Sequence, residues 1–378
     1  MKIIEQSLAV SYAYPVVFTR DALDPANPSL RDLFERADDG PHRVVVVLDA
    51  QLLWFWPDIT DRLGAYAAAN PKTFVALDDP FVLPGGEECK TELGWLPELL
   101  ERFARDRLCR HSFVLAIGGG SLLDAAGHAA SLAHRGVRLV RMPTTVLAQN
   151  DAGIGVKNAV NFRGRKNFVG SFAPPFAVLN DFAFLGSLDQ RDARAGMAEA
   201  IKVALIRDAD FFDWLHRERV SLARFESAAV EEMIERCADL HLRHIREGGD
   251  PFEMGSARPL DFGHWSAHKL EELSDWELRH GEAVALGIAI DATYAFRTRR
   301  IGEGDLARIL ELLGDLGFAL SHPALEKLDI DQALEDFRAH LGGSLCLSLP
   351  EGIGRGVEVG EIDRALLEAC VDEFVRRG

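Results

Sequence analysis

The stretch SFVLAIGGGSLLDAAGHAASLAHRGVRLVRMPTT, residues 112–145, decides the fold. It opens with a short apolar run that ends in three glycines, Gly118, Gly119 and Gly120. A helix-like segment, DAAGHAASLAHRG, follows, and then a second β-forming run, VRLVRMPTT. Strand, glycine turn, helix and strand in that order make the crossover unit of a parallel sheet. Two earlier runs extend the pattern, VVVVLD at 44–49 and TFVALDD at 73–79, and the helical segment GWLPELLERFARDR lies between the second of them and SFVLAI. The first half therefore predicts an α/β domain with a mostly parallel sheet and helices on both faces.

Beyond about residue 180 the texture turns helical. RAGMAEAIKVALI, AAVEEMIERCADLHLRHI, GEAVALGIAIDATYAFRTRR and GDLARILELLGDLG all carry helical periodicity. The border falls near PPFAVLNDF at 174–182, giving an expected division into 1–180 and 181–378, with a small strand pair near LCLSLP at 345–350. A chain of 378 residues, 48% of them hydrophobic, has the material for two such cores.

Composition narrows the function. The formal net charge of −17 argues against nucleic acid or a membrane surface as partner, because both demand clustered positive charge. The N-terminal segment lacks the apolar core of a signal peptide, and no apolar run approaches a membrane span. Five scattered cysteines offer no CxxC pair. The expected location is the cytoplasm.

Four local features carry chemistry. Gly119 and Gly120 end a strand and open a helix, where backbone amides and the helix dipole can cradle a pyrophosphate; an ordinary strand-to-helix turn reads the same. Asp49, at the end of VVVVLD, suits ribose hydroxyls or a surface cap equally. DAGIGVKNAVNFRGRKNFVGSF, 151–172, concentrates Lys157, Arg163, Arg165, Lys166 and Asn167 among glycines in an acidic chain. Its apolar residues Ile154, Val160, Phe168 and Val169 point to a partly buried anion-binding loop rather than a solvated one. Finally, DFGHWSAHKLE at 261–271 places His264 and His268 one helical turn apart, and His280 follows in RHGEAV. With Glu199 of GMAEAIK, two of these histidines would make an open zinc site; each alone reads as an ordinary buried histidine.

Together GGGSLLD, RGVRLVRMPTTVLAQNDAGIGVKNAVN, GRKNFVGSF, GMAEAIK, DFGHWSAH and HGEAVALG resemble the 3-dehydroquinate synthase superfamily, the sugar phosphate cyclases, over roughly residues 40–300. That resemblance implies an NAD-binding α/β domain, a helical metal- and substrate-binding domain, a cleft between them and a homodimer. It implies NAD⁺ and a divalent metal, zinc or cobalt. By position it implies metal ligands at Glu199, His264 and His280. Cofactor contacts fall on Asp49, Glu87, Lys90, Gly119, Gly120, Asp124, Thr144, Thr145 and Lys166. Phosphate and substrate contacts fall on Arg135, Lys157, Lys166, Asn167, Lys202 and His268, with Asp151 as the acid of the substrate loop.

Two departures bear on the substrate. Dehydroquinate synthases carry an arginine seven residues before the first metal histidine, where this chain has Ala257 with Arg258 displaced by one, and an asparagine three residues before it, where this chain has Asp261. His241 takes the place of a lysine. These changes disfavour a substrate carboxylate, because like charges repel and the arginine fork is lost. Asp261 would accept hydrogen bonds from hydroxyls instead. FRAHLGG, 337–343, resembles the sedoheptulose 7-phosphate cyclases, with His340 in a phosphate-contacting position. The implied reaction converts sedoheptulose 7-phosphate to a C7 cyclitol such as 2-epi-valiolone with release of phosphate. Lys157, Lys202, His268, Asp261 and Asp151 are the implied catalytic groups. A 3-dehydroquinate synthase, a metal-dependent polyol dehydrogenase and a non-catalytic phosphosugar binder are the alternatives.

Overall fold

The computed structural model describes residues 1–38, 40–255 and 259–377, with His340 as backbone only. Ala257 and Arg258 lie outside the described residues. The chain divides into two compact units, one of Met1–Pro143 with Val156–Asp181, the other of Thr144–Gly155 with Phe182–Gly378.

Six parallel strands form the centre of the first unit: β1 (Val16–Thr19), β2 (Val44–Asp49), β3 (Phe81–Leu83), β4 (Phe113–Gly118), β5 (Arg138–Pro143) and β8 (Ala177–Asp181), ordered β1-β8-β5-β4-β2-β3. The β4 strand is buried along its whole length, as a parallel strand covered on both faces must be. Its last residue, Gly118, pairs with Pro143 of β5. Gly119 then turns the chain, and a helix runs from Gly120 to Leu132 with Leu122, Leu123, Ala125, Ala126, Ala129 and Ala130 buried. The expected α/β architecture is present.

Three details differ from the expectation. TFVALDD is not a strand: only Phe74 forms a bridge, to His42, and the paired strand is β3. Its Val75 is 37% exposed and Pro80 has no amide to donate, so the segment has neither a buried face nor a complete ladder. The strands β1 and β8 went unread because each is short and flanked by proline. The basic segment is a hairpin, not a loop: β6 (Lys157–Phe162) pairs antiparallel with β7 (Arg165–Phe172). Ile154 and Val160 are buried as expected, but Phe168 and Val169 are exposed. The hairpin base is held by the fully buried Arg141, which donates to the Lys157 carbonyl at 2.9 Å and to Asn158 Oδ1 at 2.7 Å.

The second unit is mainly helical, with a small antiparallel pair, β9 (Leu347–Pro350) and β10 (Gly356–Val359). Two helices form its centre. In Gln190–Arg207, residues 195–206 are buried; in His280–Arg297, residues 283–295 are buried. Helices apolar all round belong in the middle of a bundle. They meet backbone to backbone at Gly281, where a Cβ would lie 1.9 Å from the Ala195 carbonyl oxygen. No described helix is long and apolar enough to cross a membrane.

Candidate active site and metal centre

The second unit gathers Glu199, Lys202, His264, His268, His280, Asp151 and Asp261 onto neighbouring elements. Glu199 and Lys202 share one face of Gln190–Arg207, three residues apart, and both are buried. His264 and His268 stand on the helix His264–Leu273, and His280 opens the next helix. Their rings cluster, His264 lying 5.3 Å from His268 and 5.4 Å from His280 between centroids.

The tautomers explain what the cluster is built to hold. His264 Nδ1 lies 3.0 Å from the Phe262 carbonyl, which can only accept, so Nδ1 carries the proton and Nε2 is bare. His280 Nδ1 lies 3.1 Å from the Glu271 carboxylate, which fixes the same tautomer. The Nε2 atoms of both rings face the carboxylate atom Glu199 Oε1, at 3.7 and 3.5 Å. Glu199 Oε1 itself is buried without a hydrogen bond. Three lone pairs converging inside a protein repel one another unless a cation lies among them. The donor atoms of Glu199, His264 and His280 all lie within 4.8 Å of one another, and one carboxylate with two imidazoles is a zinc-type set. The residues fit a divalent metal.

Electrostatics agree. Burial, seconded by Lys202, lowers His264 to about 4, so it is neutral and available as a ligand. Burial alone would raise Glu199, but Lys202 pulls it to about 2, against Asp151. Burial would likewise lower Lys202, yet Glu199 and Asp151 hold its ammonium above the ordinary lysine value. Lys202 pairs directly with Glu199 Oε2. Asp151 follows the same logic: burial opposes its charge, and His241 and Lys202 outweigh burial. His241 Nδ1 lies 2.9 Å from Asp151 Oδ1. Asp261 Oδ2 is buried and accepts no hydrogen bond.

Glu271 was missed in the sequence, although its spacing was a signal. It sits seven residues after His264 and three after His268, on their face of the helix.

The first unit gathers a second set. Asp49 ends β2, is 7% exposed and accepts from the Gln51 amide at 2.9 Å; burial raises its carboxyl. Gly119 and Gly120 stand at the adjoining end of β4. Lys90 and Asp124 bind each other directly, and Glu87 joins them through Asn161 and Asn167. Ser121 Oγ donates to Glu87 at 2.9 Å, and Lys90 pairs with Asp124 at 2.8 Å and with Asn167. Asn161, which the sequence reading passed over, closes the network. It donates to Glu87 at 2.8 Å and to Thr91 at 3.1 Å, and accepts from the Asn167 amide at 2.8 Å. Lys166 sits beside Asn167 on β7, and Lys157 opens β6. Arg135 is exposed beyond the opposite end of the Gly120–Leu132 helix from the glycines. Thr144 and Thr145 belong to the second unit, where Thr145 Oγ1 accepts from the Ala148 amide at 3.1 Å.

Residues 80–195 match the model for the 3-dehydroquinate synthase N-terminal domain, and residues 196–339 that for its C-terminal domain. The 2-epi-5-epi-valiolone synthase of Streptomyces hygroscopicus subsp. jinggangensis is 34% identical over 97% of this chain and 88% of its own. The 3-dehydroquinate synthase of Shewanella loihica is 31% identical over 98% of this chain and 99% of its own. The solved structure of the former enzyme, with NAD⁺ and Zn²⁺ bound, superposes with a TM-score of 0.88, covering 99% of this chain and 100% of that one at 32% identity. The chain belongs to the 3-dehydroquinate synthase family of sugar phosphate cyclases and is an enzyme of that phosphate-eliminating class.

Proposed function

We propose that the protein converts sedoheptulose 7-phosphate to a C7 cyclitol such as 2-epi-valiolone, releasing inorganic phosphate. The observation that carries this reading is the buried, unpaired Asp261 Oδ2 beside the metal cluster. Glu199, Asp151 and Asp261 all act on the single ammonium of Lys202. A site already rich in carboxylate repels a further carboxylate, whereas substrate hydroxyls satisfy an acceptor-only group.

Glu199, His264 and His280 would hold zinc or cobalt, and the first unit, through Asp49, Glu87, Lys90, Gly119, Gly120, Asp124 and Lys166, would hold NAD⁺. When bound, the metal supplies Lewis acidity at a hydroxyl oxygen and NAD⁺ a reversible hydride acceptor, so the net reaction needs no external oxidant. Lys202 holds the charge of Glu199 and offers an ammonium N–H to a substrate oxygen. Asp261 and Asp151 orient hydroxyls, with His241 fixing Asp151. Lys157 and Asn167 in the first unit and His268 in the second are the candidate phosphate-binding groups; Arg135, exposed beyond the far end of the Gly120–Leu132 helix, is not placed with them. The enzyme acts in the cytoplasm as a homodimer.

The test offers sedoheptulose 7-phosphate and 3-deoxy-arabino-heptulosonate 7-phosphate in parallel to zinc-loaded enzyme with catalytic NAD⁺. Phosphate release from the first alone, with the cyclic product identified by NMR, is expected. Release from the second alone would make the protein a 3-dehydroquinate synthase and overturn the role of Asp261. Stoichiometric NADH without phosphate would indicate a dehydrogenase.

A further inference from the structure

Asp291 is buried, 2% exposed, in the helix that His280 opens. Its two carboxylate oxygens straddle His264. Oδ2 accepts from the Gly263 amide at 3.0 Å, on one side of the ligand, and Oδ1 accepts from Trp265 Nε1 at 2.8 Å, on the other. The residues it grips have nowhere else to go. Gly263 has φ +78°, a left-handed turn that caps the helix, and its carbonyl approaches so closely that a Cβ on Gly287 would lie 2.0 Å from it. Phe262 and Trp265 are both buried. Phe262 in turn offers its carbonyl to His264 Nδ1. Rotating the first helical turn about its axis would swing His264 Nε2 away from Glu199, and both hydrogen bonds to Asp291 resist that rotation.

We infer that Asp291 is a positioning residue for the metal: it clamps the residues on either side of His264 and thereby aims the imidazole at Glu199. The inference rests on the metal reading above. Nothing local in the sequence marks it, since Asp291 lies 27 residues from His264 in an otherwise apolar helix.

A carboxylate does this where an amide cannot. Both partners are N–H donors, so an asparagine would turn its own NH₂ toward one of them. Asp291→Asn keeps the volume and breaks one of the two bonds. Trp265→Phe removes the other donor while keeping an aromatic ring.

The experiment measures the zinc dissociation constant by chelator competition in wild type, Asp291→Asn and Trp265→Phe. It pairs this with metal-free melting temperatures and the visible spectrum of the cobalt-loaded proteins. Asp291→Asn is expected to weaken zinc by about 10–100-fold, the usual cost of losing an outer support of a metal ligand. Trp265→Phe should weaken it less, and both should alter the cobalt spectrum. Variants that melt lower but bind zinc as wild type, with an unchanged cobalt spectrum, would show Asp291 to be structural only. Should Asp291→Asn fail to fold, wild-type zinc affinity in Trp265→Phe overturns the inference by itself. Failure of wild type to take up one zinc would instead sink the metal reading, and the inference with it.

Discussion

The two charged clusters of this protein are built on opposite plans. In the first unit, Glu87, Lys90, Asp124, Asn161 and Asn167 satisfy one another. In the second, Glu199 Oε1 faces the Nε2 atoms of His264 and His280 at 3.7 and 3.5 Å, too far for a close hydrogen bond. A satisfied network gives shape; an unsatisfied one marks where a ligand supplies the missing charge.

The largest expected effect comes from Lys202. Replacing it with methionine leaves Glu199 with its imidazole partners, so zinc is retained, but removes the ammonium offered to substrate. Turnover should fall by about a hundredfold or more. Normal turnover with normal zinc would make Lys202 a structural counter-ion.

Gly281→Ala tests the packing beneath the metal cluster. The added Cβ meets the Ala195 carbonyl, which belongs to a buried helix and cannot give. Destabilisation of about 1–3 kcal/mol is expected, with reduced zinc occupancy because His280 is displaced. A melt matching wild type would mean that the two helices are less closely seated.

Asn161→Ala probes the satisfied network. It strands Glu87 and the Asn167 amide, at a cost of about 1–3 kcal/mol. Faster amide exchange should appear in the hairpin, and zinc affinity should be unchanged. Loss of zinc in this variant would break the separation between the clusters.

The smallest effect is a pH dependence. His264 is lowered to about 4 from the ordinary 6.5, so the unfolded chain takes up this proton first. The contribution of this group to stability is intact above 6.5 and is lost as the pH falls from 6.5 toward 4. Melting of the metal-free protein across that window should show a slope that His264→Gln diminishes. Equal slopes in both would assign the titration to other groups.

Much of this was legible in the sequence, for identifiable reasons. The runs VVVVLD and SFVLAI are buried on both faces and so read almost continuously apolar, whereas VRLVRM carries Arg138 and the buried Arg141 within its apolar frame. His264, His268 and Glu271 repeat with the helix. The hairpin was hidden because its outer strand has no buried face, and R-K-N among Phe and Gly reads as loop. Asn161 and Asp291 were invisible because their partners are distant in sequence and no spacing rule connects them. Glu199 could be joined to the histidines from residue type alone, as a carboxylate completing a zinc-type set, and its Oε1 lies 3.5–3.7 Å from the Nε2 atoms of His280 and His264. The substitution at Ala257 remains a reading of the sequence alone.

The central claim is that Glu199, His264 and His280 hold a divalent metal. Its most direct test is the metal content of wild type and Glu199→Gln after equilibration with zinc and removal of the excess. One zinc per wild-type chain and loss of tight binding in Glu199→Gln is the predicted result. Equal zinc in both, or none in wild type, would contradict it.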